Sequence, residues 1–152
     1  MFSIQISTPV GPLVLTGTEK GLITADFATL AGEEKRSPLL DEAACQIEHW
    51  FAGGRNSFDL PLEIRGTQFQ QAVWQELQAI PWGQTRTYGD IAIALGKPGA
   101  ARAVGSACGA NPLILLIPCH RVLARNGKLG GFSSGLPLKR ELLKREGIPW
   151  KE

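Results

Sequence analysis

A cysteine and a histidine stand side by side in the segment Pro118-Cys119-His120-Arg121-Val122. A free thiol is a weak nucleophile at neutral pH because little of it is thiolate, and an adjacent base is one common means of activating it. The proline fixes the backbone before the cysteine, so we expect the thiol on a defined corner of the chain. Many buried cysteines and histidines only pack, and the pair alone leaves that structural role open.

A short apolar run, residues 113–117, precedes this pair. It is far shorter than the roughly 20 residues that span a membrane. Its length matches a buried strand. We therefore expect a buried strand that ends at the thiol.

Composition bounds the class of protein. The chain has 152 residues, of which 43% are hydrophobic and 20% are charged, which is typical of one globular domain or of a small subdomain joined to a larger one. The first residues alternate like a strand and lack a secretion signal. Three cysteines without a CxxC pair suggest neither a disulfide framework nor a zinc finger, so we expect a reduced, cytoplasmic protein.

Charge is unevenly distributed along the chain. Residues 1–82 hold 5 Lys/Arg and 10 Asp/Glu, whereas residues 83–152 hold 11 Lys/Arg and 4 Asp/Glu, so the net charges are −5 and +7. A basic half that contains the thiol favours a polyanionic partner such as nucleic acid. A solvated basic face without a partner explains the charge equally well.

The first half resembles a small α/β unit. Residues 4–7 and 13–16 predict a hairpin, and residues 22–27 predict a third strand. A helix is expected from Pro38 to about residue 51, and residues 60–65 are interpreted as a linker.

Two potential metal ligands lie one helical turn apart in this half. Cys45 and His49 have i, i+4 spacing on the predicted helix. Two ligands do not make a metal site, and packing is the favoured role for both.

The second half is mostly helical. Thr67 is expected to cap a helix whose apolar positions lie at spacings of 4, 4 and 3 residues. Thr87 and Asp90 resemble a capping box for a helix over 88–95, and a second helix follows over about 100–110. Two short helices across a tight turn form a helix-turn-helix pattern, which by itself does not establish DNA binding.

The second of these helices is built from small residues around one arginine, Arg102. Close packing against a neighbouring helix would explain that composition. A helix pressed into a DNA groove, with Arg102 entering the groove, would explain it as well. For Cys108 on this helix, packing is favoured over chemistry.

A glycine-rich loop over 126–135 follows the Cys-His pair and contains Phe132. It could be an idle surface loop or a pocket wall on which a flat ligand stacks. The last predicted helix starts at Pro137 and has Glu146 in its final turn, where the helix dipole disfavours a carboxylate. A specific partner for Glu146 would explain its position.

The combined motifs resemble the O6-alkylguanine-DNA alkyltransferase family, whose members repair methylated guanine. The resemblance rests on five segments in this order: Thr87-Tyr88-Gly89, Ala100 through Gly105, Asn111-Pro112, Pro118 through Val122, and Lys139 through Gly147. It implies a small antiparallel α/β subdomain, ribonuclease H-like, over 1–62. It also implies a mainly helical domain over 63–152 that carries the active site and a helix-turn-helix at about 88–110.

The same resemblance implies the roles of the reactive residues. Cys119 would accept the alkyl group, His120 would take its proton through a water, and Glu146 would orient the imidazole. Tyr88 would assist the departing guanine, and Asn111 would hold the turn before the acceptor.

DNA contact would fall to the small-residue helix. Arg102 would fill the gap left by the flipped nucleotide, and Ala101, Ser106 and Tyr88 would contact the duplex. Residues 129–133 would line the base pocket, namely Leu129, Gly130, Gly131, Phe132 and Ser133.

The implied activity is irreversible, single-turnover transfer from O6-methylguanine, and from O4-methylthymine, to Cys119. The implied partner is double-stranded DNA, bound through its minor groove by a monomer, with cooperative binding left open. No cofactor is expected. No metal is expected either, because the first 44 residues contain no Cys or His, where some family members bind zinc.

Two other departures from the family pattern bear on function. Phe132 stands where several relatives carry Tyr, which retains stacking but loses a hydroxyl contact. The chain carries no additional methyl-sensing domain, so we expect a stand-alone repair protein and not a regulator.

Three alternatives compete with this interpretation. Alkyltransferase-like proteins flag the lesion without repair but typically lack the acceptor thiol. A cysteine hydrolase would need an oxyanion hole, which the sequence does not reveal, and would turn over many times. A helix-turn-helix regulator would not need Cys119.

Overall fold

The computed structural model describes residues 1–152, which form two compact units. The first contains Met1–Arg65 and Pro112–Leu116, and the second contains Gly66–Asn111 and Ile117–Glu152. The sequence pattern does not signal that residues 112–116 return to the first unit. None of the helices combines the length and apolarity needed to cross a bilayer.

The first unit is a three-stranded antiparallel sheet with one helix. Strands β1 (Phe2–Thr8), β2 (Gly11–Gly17) and β3 (Leu22–Asp26) are hydrogen-bonded in that order. Helix α1 (Pro38–Phe51) packs on β1 and β2 and buries one apolar face there. The predicted hairpin, third strand and helix are therefore confirmed.

Two segments of the first unit differ from the predictions. The expected linker is tied to β3, because Leu22 donates to the carbonyl of Pro61 and accepts from the amide of Glu63. The apolar run 113–117 is buried but is not a regular strand. It forms an isolated bridge with Ala25, and Leu115 has a φ of 79°, which interrupts extended backbone.

The second unit is helical: α2 (Gln68–Gln78), α3 (Tyr88–Ala94), α4 (Ala101–Gly109) and α5 (Leu136–Arg145). Capping boxes start α2 at Thr67 and α3 at Thr87, each cap contributing about 1 kcal/mol. Helices α2, α3 and α4 pack on one another, and Trp74 of α2 donates to the carbonyl of Ala107 over 2.8 Å. Trp74 is a core residue that the spacing argument missed.

A two-stranded parallel ladder links the helices to the Cys-His segment. Strand β4 (Arg86–Thr87) pairs with β5 (Val122–Leu123), and a 3-10 turn, Cys119–Arg121, leads directly into β5. Tyr88 starts α3 directly after β4, the 3-10 turn of Cys119 leads into β5, and both residues line one cavity.

Candidate active site

The thiol of Cys119 lies in the wall of a cavity of about 880 Å³ within the second unit. Helices α3 and α4 form one side of it, and the segments around Arg125 and Phe132 form another. Cys119 is only 4% exposed. Substrate can therefore reach the sulfur only through this cavity.

Burial raises the pKa of the Cys119 thiol to about 11, against a hydrogen bond from Asn111 and the nearby charge of Lys139, which both lower it. The resting cysteine is therefore a protonated thiol at neutral pH. Asn111 also donates from Nδ2 to the carbonyl of Ile117 over 2.8 Å, and the Cys119 amide donates to the same oxygen over 2.7 Å. Asn111 thus fixes the corner that carries the thiol.

The carboxylate of Glu146 is buried and receives three donors. His120 Nε2 lies 2.5 Å from Oε2, while Arg121 Nε and the amide of Gly83 lie 2.8 Å and 2.9 Å from Oε1. Burial raises the pKa of Glu146, but these hydrogen bonds and charges outweigh burial and hold the pKa below its usual range. Glu146 is therefore ionised, and its position at the end of α5 is explained by these partners.

His120 is fully buried, and burial lowers its pKa despite the bond to Glu146. The imidazole is therefore neutral at pH 7. An ionised carboxylate can only accept, so the ring proton lies on Nε2 and the lone pair on Nδ1. Nδ1 contacts no protein donor or acceptor. His120 therefore has Nε2 bonded to Glu146, while Nδ1 keeps a lone pair that can accept a proton.

Tyr88 lies between two glycines. A Cβ on Gly130 would lie 2.7 Å from the Tyr88 hydroxyl, whereas one on Gly105 of α4 would lie 3.9 Å from the ring. The hydroxyl donates to the carbonyl of Gly131 over 3.4 Å. Burial raises the pKa of Tyr88 to about 12, so it remains a proton donor.

Lys139 is a fully buried lysine with no carboxylate partner. Its Nζ donates to the carbonyls of Val122, Leu129 and Gly131 over 2.7, 2.5 and 3.1 Å, and lies 5.9 Å from the Tyr88 ring centroid. Burial lowers the pKa of Lys139 to about 8. It joins β5 to the loop beside Tyr88.

Sequence reasoning gave no role to Lys139 or Arg121. One signal was available for Lys139, which shares a helical face with Leu142 and Leu143 at spacings of 3 and 4. Arg121, whose Nη1 also donates to the carbonyl of Ile80 over 2.7 Å, follows the pair directly but gave no indication of its partner.

Three of the four residues predicted to contact DNA lie on α4, and the fourth, Tyr88, starts α3. Arg102 and Ser106 are exposed, Ala101 is half-buried, and all three line the cavity. Cys108 lies on the same helix and also lines the cavity, and burial raises its pKa to about 12.

The five residues predicted for the base pocket lie in different surroundings. Gly131 and Phe132 line the cavity, but Leu129, Gly130 and Ser133 are not among its lining residues. The side chain of Leu129 packs in an apolar cluster with Leu123, Leu143 and Ile148, because the loop turns inward there. Gly130 faces Tyr88, and Ser133 is exposed.

The packing role predicted for Cys45 and His49 is wrong. Both side chains are exposed on α1. No three His, Cys, Asp or Glu side chains come together anywhere in the chain as a metal-binding group would.

Fold and site together define a class: a protein that buries a cysteine, followed directly by a histidine bonded to a buried glutamate, on a helical scaffold. Two family models match, the 6-O-methylguanine DNA methyltransferase ribonuclease-like domain over residues 1–64 and the DNA binding domain over residues 68–148. The chain therefore belongs to the 6-O-methylguanine DNA methyltransferase family, which confirms the resemblance noted above.

Individual relatives agree. The methylated-DNA–protein-cysteine methyltransferase of Methanosarcina barkeri is 47% identical over 155 residues, covering 96% of this chain and 97% of the relative. The crystal structure of Mycobacterium tuberculosis O6-methylguanine methyltransferase is 42% identical, with a TM-score of 0.86, covering 95% of this chain and 92% of that one. The M. tuberculosis protein has also been solved in complex with DNA, with 44% identity, a TM-score of 0.86 and coverage of 93% and 90%.

A further similar structure is that of a shorter protein bound to damaged DNA. Schizosaccharomyces pombe Atl1, solved with damaged DNA containing O6-carboxymethylguanine, is 32% identical with a TM-score of 0.51. The match covers 56% of this chain and 81% of Atl1.

Proposed function

We propose that this chain repairs DNA by moving the alkyl group of O6-methylguanine, and of O4-methylthymine, to the sulfur of Cys119. The observation that carries the proposal is the buried thiol in a cavity wall, followed directly by a neutral imidazole tied to a buried carboxylate. Relatives that match over nearly the whole chain are methylated-DNA–protein-cysteine methyltransferases. Transfer to a cysteine is thus both the family activity and what this site can perform.

The proton must leave the thiol as the substrate arrives. With a thiol pKa of about 11 and a neutral His120, the sulfur is unreactive at rest. Nδ1 of His120 accepts the thiol proton through one water, and Glu146 stabilises the resulting imidazolium. The relay therefore supplies a proton acceptor to a thiol that is protonated at rest.

The transfer is a displacement at carbon. Sulfur forms a bond to the alkyl carbon while the carbon–O6 bond breaks, and its electron pair stays on the guanine. Tyr88, whose pKa of about 12 keeps it protonated, donates a hydrogen bond to the departing base, and the base takes up a proton from water as His120 releases the thiol proton to water. The thioether product is a poor leaving group and no neighbouring group attacks it, so each chain acts once.

We further infer that α4 enters the minor groove of duplex DNA and that the chain acts as a monomer in the cytoplasm. The small side chains of α4 permit close approach, and Arg102 projects from them into the base stack. The lesion atom lies inside the duplex, so the nucleotide must be extruded to reach Cys119, at a cost of a few kcal/mol. The helix pair α3–α4 then serves as a helix-turn-helix.

The three cysteines allow a direct test. A duplex with a radiolabelled O6-methyl group should label wild type, Cys45→Ala and Cys108→Ala to about one methyl per chain, and should leave Cys119→Ala unlabelled but still bound to DNA. Cys45 is the control for an exposed thiol, and Cys108 is the control for a second thiol on the same cavity. Label retained by Cys119→Ala would reject Cys119 as the acceptor.

A further inference from the structure

Arg102 and Arg125 line the same cavity from different segments of the chain. Arg102 belongs to α4, whereas Arg125 begins a short 3-10 turn, Arg125–Gly127. They are the only basic residues among the cavity-lining side chains. The single carboxylate there, Asp90, is already bonded to the amide of Thr87 in the cap of α3.

Arginines elsewhere in the chain have acceptors of their own. Of the nine arginines in the sequence, six form ion pairs and Arg55 donates to the carbonyl of Ser57. Arg102 and Arg125 are the two for which the structure gives neither an ion pair nor a side-chain hydrogen bond. A guanidinium carries a fork of donors that fits a phosphate. The two guanidinium groups without a protein acceptor, those of Arg102 and Arg125, therefore both lie at the cavity.

The backbone that carries Arg125 is fixed. Asn126 and Gly127 adopt left-handed φ values of 72° and 81°. The amide of Ala124 donates to the carbonyl of Lys128 over 2.8 Å, and the amide of Lys151 donates to the carbonyl of Gly127 over 2.8 Å. An arginine on such a turn loses less freedom on binding than one on a loose loop.

We propose that Arg125 binds a phosphate of the extruded nucleotide while Arg102 of α4 enters the stack. The inference rests on the proposed function. When the base enters the cavity toward the buried Cys119, its sugar and phosphates stay nearer to solvent, and Arg125 is a cavity-lining side chain that is exposed to solvent. Arg125 then holds the flipped state by a contact that the stacked duplex does not offer.

Single-turnover transfer from an O6-methylguanine duplex measures this contact. Arg125→Ala should slow transfer about tenfold and lower the salt slope of duplex binding by about 1. Arg125→Lys should restore the slope but only part of the rate, because lysine lacks the fork. Lys144→Ala removes the same charge from an exposed position on α5 outside the cavity, and should change the rate less than twofold.

Two further substrates distinguish a phosphate contact by Arg125 from a general effect of the substitution on alkyl transfer. Free O6-benzylguanine has no phosphate and should react with all variants at about the wild-type rate. If wild type transfers no methyl group from the O6-methylguanine duplex, the proposed function fails, and not the role of Arg125.

The second substrate is a duplex with a neutral methylphosphonate next to the lesion, tested on either side. On one side of the lesion, the methylphosphonate should slow alkyl transfer to wild type about tenfold. At that same position it should not slow transfer to Arg125→Ala any further. Equal slowing of both proteins at each position, or equal losses for Arg125→Ala and Lys144→Ala, would overturn the proposal.

Discussion

The central residue of the relay is Glu146, although the thiol performs the chemistry. Its carboxylate fixes the tautomer of His120 and leaves Nδ1 as the proton acceptor. Arg121 and the amide of Gly83 keep it ionised within the protein. The imidazolium formed during transfer therefore has a counter-charge already in position.

Replacing Glu146 by glutamine should slow alkyl transfer about 100-fold, because general-base catalysis contributes on this order and the counter-charge is lost. Single-turnover rates on free O6-benzylguanine would measure this without DNA binding. Glu141→Gln is the matched control, since Glu141 lies on the same helix but pairs only with Arg145 near the surface. A Glu146→Gln rate within threefold of wild type would contradict the relay.

At the scale of elements, the site depends on how closely the loop over 129–131 approaches α3 and α4. Lys139 of α5 holds this loop through the carbonyls of Leu129 and Gly131. Gly130 then touches Tyr88 on one side, while Gly105 of α4 lies on the other. The tyrosine is confined between two backbones.

Substitution by alanine should change the unfolding free energy in opposite directions at Gly130 and Gly105. At Gly130 the φ is 69° and the new Cβ would meet the Tyr88 hydroxyl, so Gly130→Ala should lose at least 1 kcal/mol of unfolding free energy and most of its transfer activity. Gly105→Ala adds ordinary contact in mid-helix and should gain up to about 1 kcal/mol. Denaturant-induced unfolding of both variants provides the comparison. A Gly130→Ala variant with the unfolding free energy of wild type would show that the loop is not confined.

Local patterns predicted most of these elements. The cap at Thr67, the capping box at Thr87 and the helix start at Pro38 are short-range signals, and the structure reproduces them. The buried strand expected over 113–117 was wrong because Leu115 takes a left-handed conformation, which hydrophobicity does not encode.

The site was predictable only in part, for a similar reason. Motif order indicated the Cys119–His120 pair and Glu146. The inward turn of Leu129, the donors of Lys139 and the bond from Arg121 to Glu146 join residues distant in sequence. No local pattern specifies such contacts, so they became visible only in the folded chain.

At the scale of the whole molecule, pH should act on stability through the relay. The pKa of His120 is lowered by burial, so the unfolded chain takes up a proton first as the pH falls below about 6.5, and stability is lost from there downward. The pKa of Glu146 is also lowered in the folded state. Its contribution is present above about pH 4.5 and is lost below that, so both groups act in the same direction.

We therefore expect the unfolding free energy to fall between pH 7 and pH 4. Between about pH 6.5 and pH 4.5 it should fall at least as steeply in Glu146→Gln, because Glu146 raises the pKa of His120 and its loss lowers that pKa further below the unfolded value. Denaturant titrations of wild type, Glu146→Gln and Glu141→Gln across that range would measure the unfolding free energy. A profile for Glu146→Gln clearly flatter than that of wild type over this range would exclude His120 as the source of acid sensitivity.

Alkyl transfer to Cys119 is a single covalent event, which intact-mass spectrometry with peptide mapping detects most directly. After incubation with excess duplex carrying O6-methylguanine, we predict a gain of one methyl group, about 14 Da, on the peptide containing Cys119, with no further repair by the modified chain. A chain that binds the lesion with unchanged mass, or one that repairs many lesions per molecule, would contradict single-turnover transfer to Cys119.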